Sequence, residues 1–128
     1  MAEAGLKLRT AAPSGDWRSF PVTAGSGGVT AGYMDKIHDT VGVYAQSADA
    51  GDVVAFIYHA EKIQVPKLAA SAGLGAYAGD KVYYSAADRA ITPVAGANLW
   101  IGIFVKDCLS ADTEALIDLK GDKALVAV

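Results

Sequence analysis

Apolar and polar residues alternate along much of this chain with the two-residue period of half-buried strands. Val41, Val43 and Ala45 alternate with Gly42, Tyr44 and Gln46. Between Glu61 and Lys67, Ile63 and Val65 fall on one face and Lys62 and Gln64 on the other; from Thr113 to Leu119, Ala115, Ile117 and Leu119 alternate with Glu114 and Asp118. Two runs, DVVAFIY from Asp52 and LWIGIFV from Leu99, are apolar on both faces. Such runs suit strands that lie centrally or are covered by a neighbouring subunit. No window of a dozen residues carries apolar side chains at helical spacing with capping signals at both ends. Turn clusters punctuate the runs: Ala24 to Gly28, Ala50-Gly51-Asp52, Ala78-Gly79-Asp80, Ala87-Asp88-Arg89 and Gly121-Asp122-Lys123. The pattern predicts an all-β fold, a small antiparallel β-barrel or sandwich.

Residues 1–20 differ from the rest. Leu6 and Leu8 alternate with Lys7 and Arg9, then Ala11-Ala12-Pro13-Ser14-Gly15 breaks the chain before Asp16-Trp17-Arg18-Ser19-Phe20-Pro21. This stretch reads either as an extended N-terminal arm with an aromatic anchor, able to add a strand to another protein's sheet edge, or as the first strand with Trp17 in the core. The expected division is an arm over 1–20 and a barrel or sandwich domain over 21–128. A faint internal repeat relates VGVYAQ-SADAGDVVAFI to IGIFVKDC-LSADTEALIDL, each copy a strand, an acidic turn and a strand. Two hairpins meeting the same packing problem, or a duplicated unit, would both give it.

Composition narrows the function. The chain has 128 residues, enough for one compact domain. Its hydrophobic fraction is 52%, but 14 residues are Gly and more are Ala, so the core is thin and oligomerisation would help it. A net charge of −3 opposes binding to nucleic acid through phosphates. Cys108 is the sole cysteine, which excludes an intrachain disulfide and a thiolate metal centre. No apolar run approaches a membrane span and the start lacks a signal region, so no membrane partner is expected and the protein is expected to be made in the host cytoplasm.

Catalytic candidates are weak. His38 and His59 are the only imidazoles. His59 and Glu61, two apart on a predicted strand, would project from one face, where a polar solvated pair is the plainer use. The GSGG segment lacks the Gly-Lys pair of a phosphate loop, and no G-x-S-x-G turn occurs. Cys108, beside Asp107, reads as a buried or half-buried thiol. Tyr83 and Tyr84 project to opposite faces of their strand and suit packing. The sequence therefore predicts no enzyme, no catalytic residue, no cofactor and no metal.

The ordered phrases VTAGSGGVTAGYM from Val22, VGV from Val41, ADAGDVVAFIYHAEKIQVPK from Ala48, AGDKVYYSAADRAIT from Ala78, and IGIF from Ile101 leading to ALIDL resemble the phage capsid cement family, short proteins sometimes labelled recombinases. The likeness spans roughly residues 20 to 120. The N-terminal stretch is longer than the family's usual start, and Lys120 to Val128 add a possible extra strand. The resemblance implies a β-rich structural virion protein on the outer surface of the head. Such a protein, often a homotrimer at three-fold positions, stabilises the expanded capsid by bridging neighbouring major capsid protein subunits. On that reading Leu6, Leu8, Trp17 and Phe20 are nominated for the capsid contact, and Tyr84 and Trp100 for packing within the domain or trimer. The alternatives are a carbohydrate-binding head-fibre base and a minor tail component.

Overall fold

The computed structural model describes residues 14–70, 73–123 and 125–126, and among them there are strands and no α-helix. The strands are β1 (Ser14–Thr23), β2 (Met34–Ile37), β3 (Thr40–Tyr44), β4 (Val53–Pro66), β5 (Lys81–Ser85), β6 (Ala90–Thr92), β7 (Leu99–Phe104), β8 (Glu114–Lys120) and β9 (Leu125–Val126). They form one antiparallel sheet in the order β2-β3-β4-β8-β7-β5-β6, with β1 added to β4 and β9 to β7. A bridge between Lys67 and Ile91, with the Leu68 amide donating to the Ile91 carbonyl at 2.9 Å, brings β6 back to the end of β4. The sheet is thereby a nearly closed barrel, the all-β class that the alternation predicts. The expected extra strand after Leu119 is β9.

The alternation of β8 is realised residue by residue: Ala115, Ile117 and Leu119 are buried and their neighbours are half-buried. In β4 the rule holds only because two β-bulges reset its phase. Tyr58 is an extra residue against β1, and Glu61 and Lys62 together oppose one residue of β8. These insertions turn Ile57, Ala60, Ile63 and Val65 all into the main core, with Ile91, Ile101, Phe104 and Ile117. Glu61 and Lys62 stay exposed. Each fully buried large side chain contributes about 1.5–3 kcal/mol relative to exposure. A second cluster holds Val54, Phe56, Tyr44, Ala24 and Ala48, with Phe20 and Val22 of β1 packed against it.

The faint sequence repeat is a structural one. In the first half Met34 opposes Val43 and Asp35 opposes Gly42; in the second Lys81 opposes Ile103 and Val82 opposes Gly102. The turns before these strands, Gly28-Val29-Thr30-Ala31-Gly32 and Gly75-Ala76-Tyr77-Ala78-Gly79, bond alike. Val29 and Ala48 exchange amide hydrogen bonds as Ala76 and Cys108 do, and the Gly32 and Gly79 amides donate to the Tyr44 and Phe104 carbonyls. The likeness is local to each hairpin and its preceding turn: β3 and β8 share the edge of β4 that faces away from β1, whereas β4 and β7 take opposite edges of β8. Equivalent register and equivalent turn bonding are what either reading of the repeat gives.

Gly42 and Gly102 occupy the same place in each unit. A Cβ on Gly42 would meet the Ile57 carbonyl oxygen at 2.5 Å and the Phe56 ring, and one on Gly102 would run into the Asp118 carbonyl. At Gly102 the backbone also takes φ of 148°, outside the range of other L-residues. The strand bends there, and Ile101 and Phe104, rather than Ile101 and Ile103, become fully buried.

Residues 14–20 are not separate from the sheet: the division expected after residue 20 falls inside β1. Leu6 and Leu8 lie outside the described residues.

Candidate functional site

Strand β1 borders the sheet. Among the described residues it pairs with β4 alone, which leaves the N–H and C=O groups of its other edge without a strand partner. Such an edge is a template for pairing with another chain. Pro21, which has no N–H to give a further ladder, sits in it. Trp17 is 48% exposed and stands outside the core, beside an exposed ion pair between Arg18 and Asp16 at 3.7 Å. Phe20 is half-buried, its ring 5.5 Å from those of Phe56 and Tyr58, so it fastens β1 to β4.

At one end of the barrel the segment after β4 folds against the β7–β8 loop around Lys67. This lysine is buried, and its ammonium donates to the carbonyls of Leu68, Ser110 and Asp112. A cavity of about 570 Å³ lies beside it, lined by Ala76, Tyr77, Cys108, Leu109 and Ser110 among others. Tyr77 and Leu109, both more than 70% exposed, flank it. The nearby carboxylates are structural. Asp80, Asp107 and Asp112 accept the amides of Tyr77, Ala78 and Leu109 at 2.8–2.9 Å and so fix the turns. Cys108, half-buried, lines this cavity.

In the other unit a polar pocket of about 300 Å³ lies between the Gly25–Gly28 turn, β2, β3 and Arg89. The buried Tyr44 hydroxyl donates to the Asp35 carboxylate at 2.7 Å, and the Lys36 amide donates to the same side chain at 2.8 Å. Burial, and then the Asp35 carboxylate, hold the Tyr44 hydroxyl well above the usual tyrosine range. Burial and the same carboxylate push Tyr84 up to about 12, while Arg89 acts in the opposite sense on both. Arg89 is exposed and has φ of 50°, a left-handed conformation uncommon for a bulky side chain.

Of the residues nominated for packing, Tyr84 is 1% exposed in the main core. Trp100 is half-buried opposite Tyr83, its indole N–H without a hydrogen-bond partner among the described residues. His38 sits in the β2–β3 turn with φ of 54°. His59 is half-buried and Glu61 exposed, and the bulge at Glu61 and Lys62 follows directly. Among the described residues no three His, Cys, Asp or Glu side chains gather in a metal-binding group. Sequence reasoning missed Lys67 and the Asp35, Tyr44 and Arg89 grouping. Lys67 falls in phase with Ile63 and Val65, which was the available signal for its burial; nothing local signals that Arg89 approaches Asp35.

The open edge of β1 and the exposed Trp17, Tyr77 and Leu109 offer surfaces for contact with another protein. A comparison with curated proteins finds no match. The family model for phage cement proteins matches residues 14–119, that is, the sheet from β1 to the end of β8. The chain thus belongs to the phage cement protein family, whose part in the virion is structural and associated with the capsid.

Proposed function

We propose that this protein binds the outer surface of the phage head and stabilises the expanded capsid by bridging neighbouring major capsid protein subunits. The observation that carries the proposal is the family match across the whole barrel. The open edge of β1 and the exposed Trp17 beside it support it, since an edge strand plus an aromatic anchor is a common way for one protein to dock on another. In this reading Leu6, Leu8, Trp17 and Phe20 make the capsid contact. The protein acts as a homotrimer, with Tyr84 and Trp100 packing inside the domain or at the subunit contact, and has no catalytic activity.

The energetics are those of linkage. A ligand that binds only the expanded lattice stabilises it by roughly 2.7 kcal/mol per site at about a hundredfold excess over Kd. A trimer adds avidity, because once one subunit docks the others bind intramolecularly. The experiment is to mix the purified protein with expanded capsids lacking it and image the particles. Added density on the outside at three-fold positions is the expected result; bare capsids at saturating protein would reject the proposal.

A further inference from the structure

Strand β1 carries along its open edge a pattern that is complementary to itself. The Ala24 amide donates to the Asp52 carbonyl at 2.8 Å and the Gly51 amide to the Ala24 carbonyl at 2.9 Å, so the backbone of Ala24 faces the β4 side. Counted back by the two-residue period of an antiparallel ladder, Val22, Phe20 and Arg18 face β4 as well. Pro21, Ser19 and Trp17 then turn their backbone groups to the open edge. Pro21 thus takes no hydrogen bond from the β1–β4 ladder, and it ends any ladder formed on the other side. Pro13 stands four residues before Trp17, as Pro21 stands four residues after it. Between the two prolines run Ser14 to Phe20, with Trp17 at the middle.

The charges are arranged about the same centre. Asp16 precedes Trp17 and Arg18 follows it, both exposed, with their side chains paired at 3.7 Å. Laid antiparallel against a second β1 with Trp17 opposite Trp17, the edge sets each Asp16 against the Arg18 of the other copy. The four charges then alternate in sign. Opposite charges in directly opposed positions stabilise a sheet, and like charges there destabilise it. Neighbouring registers lack this match. Centred on Asp16 the edge would oppose two carboxylates, centred on Arg18 two guanidinium groups, and centred on Ser19 or Phe20 it would draw Pro21 inside the ladder.

We infer that in the free protein the β1 edge is covered by β1 of a second copy, antiparallel, with Trp17 on the two-fold axis. The contact is isologous, each copy presenting the same patch. Trp17 exchanges backbone hydrogen bonds with its counterpart. The two indoles, each 48% exposed in the single chain, lie side by side on the face opposite the charges. The pairing removes the liability of a long open strand edge. It is a two-fold contact, separate from the three-fold contact of a homotrimer. From the proposed function it takes only that a strand of the head protein, docking on this edge, displaces the second copy. Its test contains no capsid, so its outcome and that of the capsid reading are independent.

Two measurements on the full chain test it. In the first, Cys108→Ser removes the native thiol, Trp17→Cys is added, and the protein is oxidised with glutathione disulfide and run on a non-reducing gel. A covalent dimer is expected, because a hydrogen-bonded pair brings opposed Cα atoms to about 5.5 Å, within disulfide range. Ser19→Cys in the same background lies away from its counterpart along the ladder and is expected to give none. In the second, sedimentation equilibrium follows the doubling of mass with concentration. Asp16→Arg and Arg18→Asp are each expected to weaken it by about tenfold, since two opposed pairs become repulsive. Both changes together restore the alternation and are expected to restore the association. Circular dichroism checks that these exposed substitutions keep the fold. No doubling of mass by the unaltered chain, Ser19→Cys cross-linking as readily as Trp17→Cys, or charge reversals that leave association unchanged or are not rescued in combination would each overturn the inference.

Discussion

Lys67 Nζ donates to the Ser110 carbonyl at 3.1 Å and so ties together two loops 43 residues apart in the chain. The same ammonium reaches the carbonyls of Leu68 at 2.9 Å and Asp112 at 3.4 Å, and the Lys67 side chain lies in the barrel wall with the residue only 4% exposed. The Ser110 carbonyl also accepts the Ala70 amide at 2.8 Å, so removing the ammonium leaves the carbonyls of Leu68 and Asp112 short of this donor, at about 1–3 kcal/mol for each buried group left unpaired. Lys67→Ala should therefore lower the unfolding free energy by about 2–4 kcal/mol, with Lys67→Met, which preserves volume, losing less. Urea unfolding measures both. A Lys67→Met protein more stable than the parent would mean that burying the ammonium costs more than its three bonds return.

The fold class was legible because the sheet's simplest strand obeys the simplest rule: every second residue from Ala115 to Leu119 is buried. The length of β4 was not. Its bulges at Tyr58 and at Glu61 with Lys62 break the alternation, so VVAFIY and the stretch from Glu61 to Lys67 read as two patterns although they form one strand. The repeat was visible in VGVY and IGIF but not in the turns GVTAG and GAYAG, whose kinship lies in hydrogen bonding more than in side chains. The pocket was the least legible part. Asp35 and Arg89 meet only because the sheet curls, and alternation along a strand carries no information about which turn arrives opposite it.

Gly102 should tolerate no side chain. Alanine there would place its Cβ against the Asp118 carbonyl and hold an L-residue at φ of 148°. Strain of this kind costs about 1–3 kcal/mol from the backbone alone, and β7 would have to part from β8 as well. Gly102→Ala is expected to be strongly destabilising and to shift the thermal midpoint sharply downward. Gly25→Ala is the control: a Cβ there meets nothing within 4 Å, and the change should be neutral or slightly stabilising.

Alkaline pH should loosen the barrel through Tyr44 and Tyr84. Both hydroxyls are raised above the ordinary value of 10.0 when folded, Tyr84 to about 12. The unfolded chain therefore loses these protons at lower pH than the native one. Their stabilising contribution is complete below about pH 10 and is lost as pH rises through the folded values. Denaturation midpoints should hold steady up to about pH 9 and fall beyond it. Tyr44→Phe copies the Phe104 of the second unit, and should make that alkaline fall shallower while costing about 1 kcal/mol at neutral pH for the lost bond to Asp35. An alkaline profile unchanged in Tyr44→Phe would show that other groups govern it.

Trp17 separates docking from folding. Its side chain is 48% exposed and stands outside both core clusters, whereas Phe20, three residues on, packs on Phe56 and Tyr58. Trp17→Ala should accordingly change the unfolding free energy by less than about 1 kcal/mol, the range of surface substitutions. Phe20→Ala should cost more, through the cavity it leaves above Phe56. If the capsid reading is right, Trp17→Ala loses about 2 kcal/mol of binding as a buried aromatic anchor, some thirtyfold in affinity. Occupancy of expanded capsids by this variant, counted from particle images at a fixed protein concentration, gives the answer. A fall in occupancy with an unchanged melting curve assigns Trp17 to the contact. Full occupancy would remove Trp17 from it and move attention to the exposed Tyr77 and Leu109 at the opposite unit's turn.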